Sequence, residues 1–127
     1  MLEVGMTFEF KRPVTENDTA AKAASGAVEV FATPFMIAWM EEASLKLAQK
    51  ELEEGFTTVG TEVNIKHLKG SLVGTEMRVI SKLLEIDRKK LIFSVEVYED
   101  KENILVGEGT HTRFIIDTEK FFEKLKK

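Results

Sequence analysis

Three polar residues of the 127-residue sequence could together perform hydrolytic chemistry: Thr33, Glu41 and His67. A carboxylate can act as base or nucleophile, an imidazole can transfer protons, and a hydroxyl can hold or attack a carbonyl group. Each residue also has an ordinary structural interpretation. A threonine before Pro34 is typical of a helix cap, a single helical glutamate is usually solvated, and a histidine at a strand end is often structural. Spacing alone therefore leaves both interpretations open.

A single long helix is expected to carry Thr33 and Glu41. Thr33 is the predicted N-cap, Pro34 the first helical residue, and the helix is expected to end near Glu54 and Gly55. The apolar residues that recur at helical spacing are Phe35, Met36, Trp39, Met40, Ala43, Leu47 and Ala48. Glu41 follows Thr33 by eight positions, which is about two helical turns.

The rest of the chain is strand-like. Alternating or β-branched patterns predict strands over 6–12, 57–68, 76–87, 91–100 and 104–117. Residues 15–27 read as a loop or weak helical turn, and the tail reads as a short helix capped by Thr118. Short turns between the last four strands require antiparallel pairing. The sequence thus predicts a single α+β domain over 1–127, with a central long helix wrapped by an antiparallel sheet. Its uncovered edges predict a homodimer.

Composition narrows the function classes. The chain has no cysteine and only two histidines, so disulfides, thiolate metal sites and a histidine-rich metal site are excluded. Asp and Glu number 22 against 18 Lys and Arg, which argues against broad nucleic-acid binding. No basic, apolar leader and no apolar run of about 20 residues is present, so we expect a cytoplasmic protein without membrane contact.

A second group of residues suggests ligand contact. Gly107 and Gly109 lie inside a predicted strand, where glycine indicates a bulge or a close backbone approach, a ligand being one partner for that approach. His111 and Arg113 follow on the same strand. Arg113 could bind a phosphate group or be an ordinary exposed arginine. Gly60, on the strand that ends at His67, could let a carbonyl group or ligand approach its backbone.

Three segments together resemble the fluoroacetyl-CoA thioesterase family of hotdog-fold proteins. They are VFATPFMIAWMEEAS (30–44), VGTEVNIKHLKG (59–70) and GEGTHTRFIID (107–117). The resemblance extends from about Val4 to the tail, and it implies a hotdog fold working as a dimer. By position in these segments, the family's catalytic residues match Thr33, Glu41 and His67. The family's glycine that helps to position the thioester carbonyl matches Gly60.

The resemblance implies an acyl-CoA thioesterase that hydrolyses a short acyl-CoA, with coenzyme A entering only as part of the substrate and with no metal. It assigns Gly60, Phe35, Arg113 and His111 to substrate binding. Candidates for the CoA phosphates are Lys66, Lys69 and Arg113. Pro34 and Ala27 stand where the fluoroacetyl enzyme has glycine and a gating phenylalanine, so the acyl group is left open, as is covalent against general-base catalysis. The alternatives are a non-catalytic acyl-CoA-binding domain and a purely structural dimer.

Overall fold

The computed structural model describes all residues from Met1 to Lys127 and contains one antiparallel sheet and one long helix. The elements in chain order are β1 (Thr7–Pro13), a 3-10 turn (Glu16–Asp18), α1 (Ala20–Ala23), α2 (Thr33–Gln49), β2 (Phe56–His67), β3 (Glu76–Asp87), β4 (Lys90–Glu99), β5 (Ile104–Asp117) and α3 (Thr118–Leu125). The predicted α+β architecture is confirmed. None of the helices has the length and apolar character needed to cross a membrane.

The five strands form a sheet in the order β1-β3-β4-β5-β2, and every neighbouring pair is antiparallel. Residues alternate along β4 between buried and half-buried, as expected when one face of a sheet is packed. The buried face packs against α2, whose Met36, Met40, Ala43 and Leu47 are fully enclosed. The edge strand β2 is 12 residues long and has no strand beside it on its outer side.

The ends of α2 differ from the prediction in a way that matters for the site. Ala32 is the N-cap, and Thr33 is the first helical residue. Its hydroxyl bonds to His67 across the chain instead of capping the helix. The helix ends at Gln49, five residues before the predicted stop, and Gly55, at φ +91°, serves the turn into β2 instead. Gly55 therefore lies in the turn that leads into β2, and it does not cap α2.

The C-terminal helix α3 is capped one residue earlier than predicted. The Asp117 carboxylate accepts a hydrogen bond of 3.2 Å from the backbone N–H of Lys120. Thr118 is therefore the first helical residue and not the cap. Aspartate at this position also places a negative charge at the positive end of the helix dipole, which favours it over threonine.

The strand glycines Gly107 and Gly109 accommodate protein atoms. A Cβ built on Gly109 would overlap the backbone carbonyl oxygen of Asn64 in β2, and one built on Gly107 would lie 2.5 Å from the Met36 sulfur. The predicted close approach is confirmed, and its partners are the neighbouring strand and helix α2. Of the two positions, Gly109 is the less tolerant, because the atom opposite it belongs to the backbone and cannot move aside.

Glu42 ties α2 to strand β1. Its carboxylate accepts two hydrogen bonds from Arg12, of 3.0 and 2.9 Å, and one of 2.8 Å from Lys46. The bonds from Arg12 are the largest cause of a Glu42 pKa lowered to about 2. The Arg12 guanidinium also lies over the ring of Phe10, 4.5 Å from its centre. Glu42 is thus a structural residue.

We expect Glu42→Gln to lower the free energy of unfolding by about 1–2 kcal/mol at pH 7, the usual value of hydrogen bonds to a charged group at a half-exposed site. Because the folded-state pKa lies below the ordinary 4.5, the contribution is fully present above pH 4.5 and declines as pH falls towards about 2. Urea titrations at several pH values measure this difference. Glu54→Gln, at an exposed position, is the control and should change nothing. A pH-independent difference for Glu42→Gln would contradict the interpretation.

Candidate active site

Thr33 and His67 form a hydrogen-bonded pair at the surface. Thr33 opens α2 and His67 closes β2, and the two ends meet so that Thr33 Oγ1 lies 2.8 Å from His67 Nδ1. The pair lines a cleft of about 370 Å³ together with Ala20, Ser25, Val30, Phe31, Leu68, Lys69 and Gly70. An imidazole can orient a hydroxyl through a hydrogen bond or accept its proton. Acyl transfer and hydrolysis use this arrangement.

The imidazole of His67 is partly withdrawn from solvent. Burial lowers its pKa, so the ring is neutral at pH 7 and one ring nitrogen can accept a proton. The edge of the ring faces Phe31. Nε2 is buried and has no hydrogen-bond partner within the chain. The backbone of Lys69 acts in the opposite direction to burial and raises the His67 pKa. Because Nε2 is enclosed by the chain itself, Thr33 is the exposed member of the pair.

Glu41 belongs to a separate group, which surrounds Gly60. A Cβ built on Gly60 would lie 3.0 Å from Glu41 Oε2, 3.0 Å from His111 Cε1 and 3.3 Å from Arg113 Nη1. Three side chains from α2 and β5 thus converge on one point in front of the β2 backbone. An alanine here would require these side-chain atoms to shift by a few tenths of an ångström. The Glu41 side chain keeps 41% of its surface exposed, so its carboxylate remains open to solvent or a ligand.

Arg113 is the buried cation of this group, which we call the glutamate–arginine cluster (Glu41, Thr58, Gly60, His111 and Arg113). Its Nε donates to the Thr58 hydroxyl at 2.7 Å, its Nη2 to the Thr58 carbonyl at 2.9 Å, and its Nη1 reaches His111 Nε2 at 3.1 Å. Burial lowers the Arg113 pKa, but guanidinium groups stay protonated in proteins. A positive charge therefore stands beside the Glu41 carboxylate.

The three predicted catalytic residues do not meet within one chain. Thr33 contacts His67, whereas Glu41 lies eight positions further along the same helix, about 12 Å along its axis at 1.5 Å per residue. The single chain therefore presents two half-sites, the threonine–histidine pair and the glutamate–arginine cluster. They lie near opposite ends of β2, which carries Gly60 towards its start and His67 at its end.

The remaining predicted binding residues are dispersed. Phe35 is half-buried and packs against the core. Lys69 pairs with Glu99 at 2.7 Å. Lys66 is exposed and lines a polar cleft with Lys82 and other residues of the sheet, Asn64, Leu84, Ser94, Val95, Glu96, Glu108, Gly109 and Thr110. His111 and Arg113 are buried, with 1% and 6% of their surface exposed.

Thr58 and Glu62 contact the cluster but are not among the residues predicted from the sequence. Thr58 supplies two acceptors to Arg113, and the Glu62 carbonyl oxygen lies 2.8 Å from His111 Nδ1. A threonine in a β-branched strand carries no chemical signal of its own, and a backbone carbonyl carries none at all. Only the pairing of β2 with β5, with its register shift between Gly60 and Glu62, places them beside the cluster.

A family model described as fluoroacetyl-CoA-specific thioesterase, FlK, matches residues 14–119. The chain is also 33% identical over 98 residues to the fluoroacetyl-CoA thioesterase of Streptantibioticus cattleyicolor, covering 77% of this chain and 69% of that protein. The chain belongs to the fluoroacetyl-CoA-specific thioesterase family. Members of this family are hydrolases that act on thioesters, so the predictions of a thioesterase-like family and of hydrolase chemistry are confirmed.

Two solved thioesterase structures have the same fold as this chain. A single-site variant of FlK in complex with fluoroacetate and CoA superimposes with a TM-score of 0.87 at 28% identity, covering 94% of this chain and 99% of that one. The Thermus thermophilus protein TTHA0967, a thioesterase superfamily member, gives a TM-score of 0.88 at 29% identity, covering 99% and 94%. The predicted hotdog fold, a long helix wrapped by an antiparallel sheet, is confirmed.

Proposed function

We propose that this thioesterase hydrolyses a short-chain acyl-CoA. Water adds its oxygen to the thioester carbonyl carbon, the carbon–sulfur bond breaks, and the sulfur leaves as the CoA thiolate and takes up a proton. The products are a carboxylic acid and CoA. The relative with CoA and fluoroacetate bound supports this substrate class. The reaction needs no redox cofactor, because no atom changes its oxidation state overall.

The observation that carries the proposal is the Thr33–His67 hydrogen bond of 2.8 Å, which joins a neutral imidazole to an exposed threonine and lines a cleft. A neutral imidazole bonded to an exposed hydroxyl can transfer a proton to or from a bound molecule through that hydroxyl. We assign it the proton transfers to water and to the leaving thiolate, with Thr33 positioning the reacting groups.

Glu41 and Gly60 supply the other half of the chemistry. Glu41 attacks the thioester carbonyl or activates the water, and its exposed carboxylate is accessible for either role. Because Gly60 has no side chain, the carboxylate of Glu41 can lie close to the β2 backbone. Backbone N–H groups near Gly60 would stabilise the developing oxyanion, a contribution of about 10²–10³ in rate when one donor is removed in other enzymes. Arg113 provides positive charge beside the same point.

A homodimer would bring the half-sites together. The edge strand β2 is 12 residues long, no strand pairs with the backbone groups on its outer side, and it exposes the apolar side chain of Val63. Antiparallel pairing with a second copy places the beginning of one strand beside the end of the other. The end of β2 bearing the partner's His67 would thereby approach the Gly60 region of the first subunit. Two equivalent composite sites would result, as two-fold symmetry requires.

The proposal is tested by measuring thiol release from acyl-CoAs of increasing chain length, with fluoroacetyl-CoA included. We expect turnover of short acyl groups, with kcat/KM in the common enzymatic range of about 10⁴–10⁸ M⁻¹s⁻¹ for the preferred one. CoA binding is measured in parallel by calorimetry. Binding of CoA without turnover of any acyl-CoA would overturn the enzymatic proposal and favour an acyl-CoA-binding domain. Neither binding nor turnover would favour a purely structural dimer.

A further inference from the structure

His111 has both ring nitrogens within hydrogen-bonding distance of a protein group. Nδ1 lies 2.8 Å from the Glu62 carbonyl oxygen, and Nε2 lies 3.1 Å from Arg113 Nη1. The side chain is buried, with 1% of its surface exposed, and its ring packs beside Phe93. A residue this enclosed does not meet substrate in the way that an exposed binding residue would.

The two contacts fix the protonation state of the ring. A guanidinium has only donors, so His111 Nε2 must present its lone pair to Arg113. A carbonyl oxygen has only acceptor capacity, so His111 Nδ1 must carry the proton that binds Glu62. The ring is therefore the neutral tautomer with hydrogen on Nδ1. The charged groups facing it are Arg113 on its own strand and Glu41 on α2, whose Oε2 lies 4.0 Å from Nε2.

The contact with His111 completes the fixation of Arg113. Thr58 takes the Nε and one Nη2 hydrogen, which holds one side of the guanidinium. His111 takes one hydrogen of Nη1, so the planar group is held from two directions. The second hydrogen of Nη1 has no acceptor within the chain. Nη1 lies 3.3 Å from the position that a Cβ on Gly60 would take.

We propose that His111 is a positioning residue for the thioesterase reaction: it fixes Arg113 so that the free Nη1 hydrogen faces the reacting carbonyl or the Glu41 carboxylate. The role rests on the proposed function, since it concerns the same site. In this role His111 acts through Arg113 and does not bind the substrate directly, whereas the family resemblance implies that it does. Small displacements of such a group are costly, and a shift of about 1 Å can lower a rate about 10²-fold.

Two substitutions separate the two contacts of the ring. His111→Gln can place an amide oxygen near the position of Nε2 and so retain an acceptor for Arg113. His111→Asn can donate from near the position of Nδ1 to Glu62 but has no acceptor that reaches Arg113. We expect the glutamine variant to keep kcat within a few-fold of wild type, and the asparagine variant to lose about 10–100-fold in kcat with little change in KM.

Nitrogen-15 NMR of the imidazole rings tests the arrangement without any assay of turnover. The wild-type protein has only two histidines, and His67→Ala assigns the signals. We expect neutral His111 with hydrogen on Nδ1 at pH 7. A charged His111, or hydrogen on Nε2, would overturn the proposal even in an active enzyme. Equal losses of kcat in the glutamine and asparagine variants would also overturn it. An inactive wild-type protein with the expected tautomer would refute the proposed function and the positioning role, while leaving the hydrogen-bond arrangement established.

Discussion

Glu41→Gln is expected to lower kcat for acyl-CoA hydrolysis by about 10²–10⁴-fold, the usual contribution of a side chain that acts as base in a hydrolytic step. The amide has the size of the carboxylate but can neither attack a carbonyl nor take a proton from water. Its folding cost is expected to be small, because the Glu41 side chain is 41% exposed. Thiol release at saturating substrate gives kcat, and CoA binding is expected to be retained.

Glu42→Gln is the matched control, since it removes a carboxylate from the adjacent position of the same helix. Glu42 is engaged by Arg12 and Lys46 and faces away from the cluster around Gly60. We expect its kcat to equal that of wild type below the unfolding temperature. If Glu41→Gln kept the wild-type kcat, the assignment of Glu41 as base or nucleophile would be wrong. If both variants lost activity equally, the effect would lie in α2 as a whole and not in one carboxylate.

The fold could be predicted from the sequence because buried residues recur at the spacing of a helix or a strand. The helical spacing after Phe35 and the alternation in β4 each follow from one buried face, and both are found in the structure. The ends of α2 were predicted less well. Thr33 and Pro34 are typical of a helix start, but local preference cannot show that the Thr33 hydroxyl is taken by His67, 34 positions away. Tertiary contacts decide such ends.

The sequence offered a set of candidate site residues, and the structure shows which of them contact one another. The resemblance to a family selected Glu41 and His67 by their positions in the segments 30–44 and 59–70. It could not show that they lie in separate half-sites of the chain, because that follows from the length of α2 and from where β2 ends. Nor could it show that Arg113 is buried against Thr58, a contact made across two paired strands. Thr58 and Arg113 are 55 positions apart, and no local sequence pattern predicts their contact.

Subunit complementation is expected to restore activity if each active site combines half-sites from two chains. Chains bearing Glu41→Gln and chains bearing His67→Ala should each form inactive homodimers. A heterodimer of the two would contain one site with both residues intact and one with neither. We therefore expect it to have about half the activity of the wild-type dimer. Two different affinity tags allow the heterodimer to be purified from a mixture and its thiol release measured.

A second heterodimer is expected to be inactive where the first is active, and it therefore distinguishes shared sites from sites within one chain. It pairs a wild-type chain with a chain carrying both Glu41→Gln and His67→Ala. In a composite site, each intact residue then faces a substituted one, and we expect no more than residual activity. If each chain instead carried its own complete site, this heterodimer would keep about half of the wild-type activity and the first would have none. The 12 Å along α2 between Thr33 and Glu41, set by the helical rise, argues for the composite outcome.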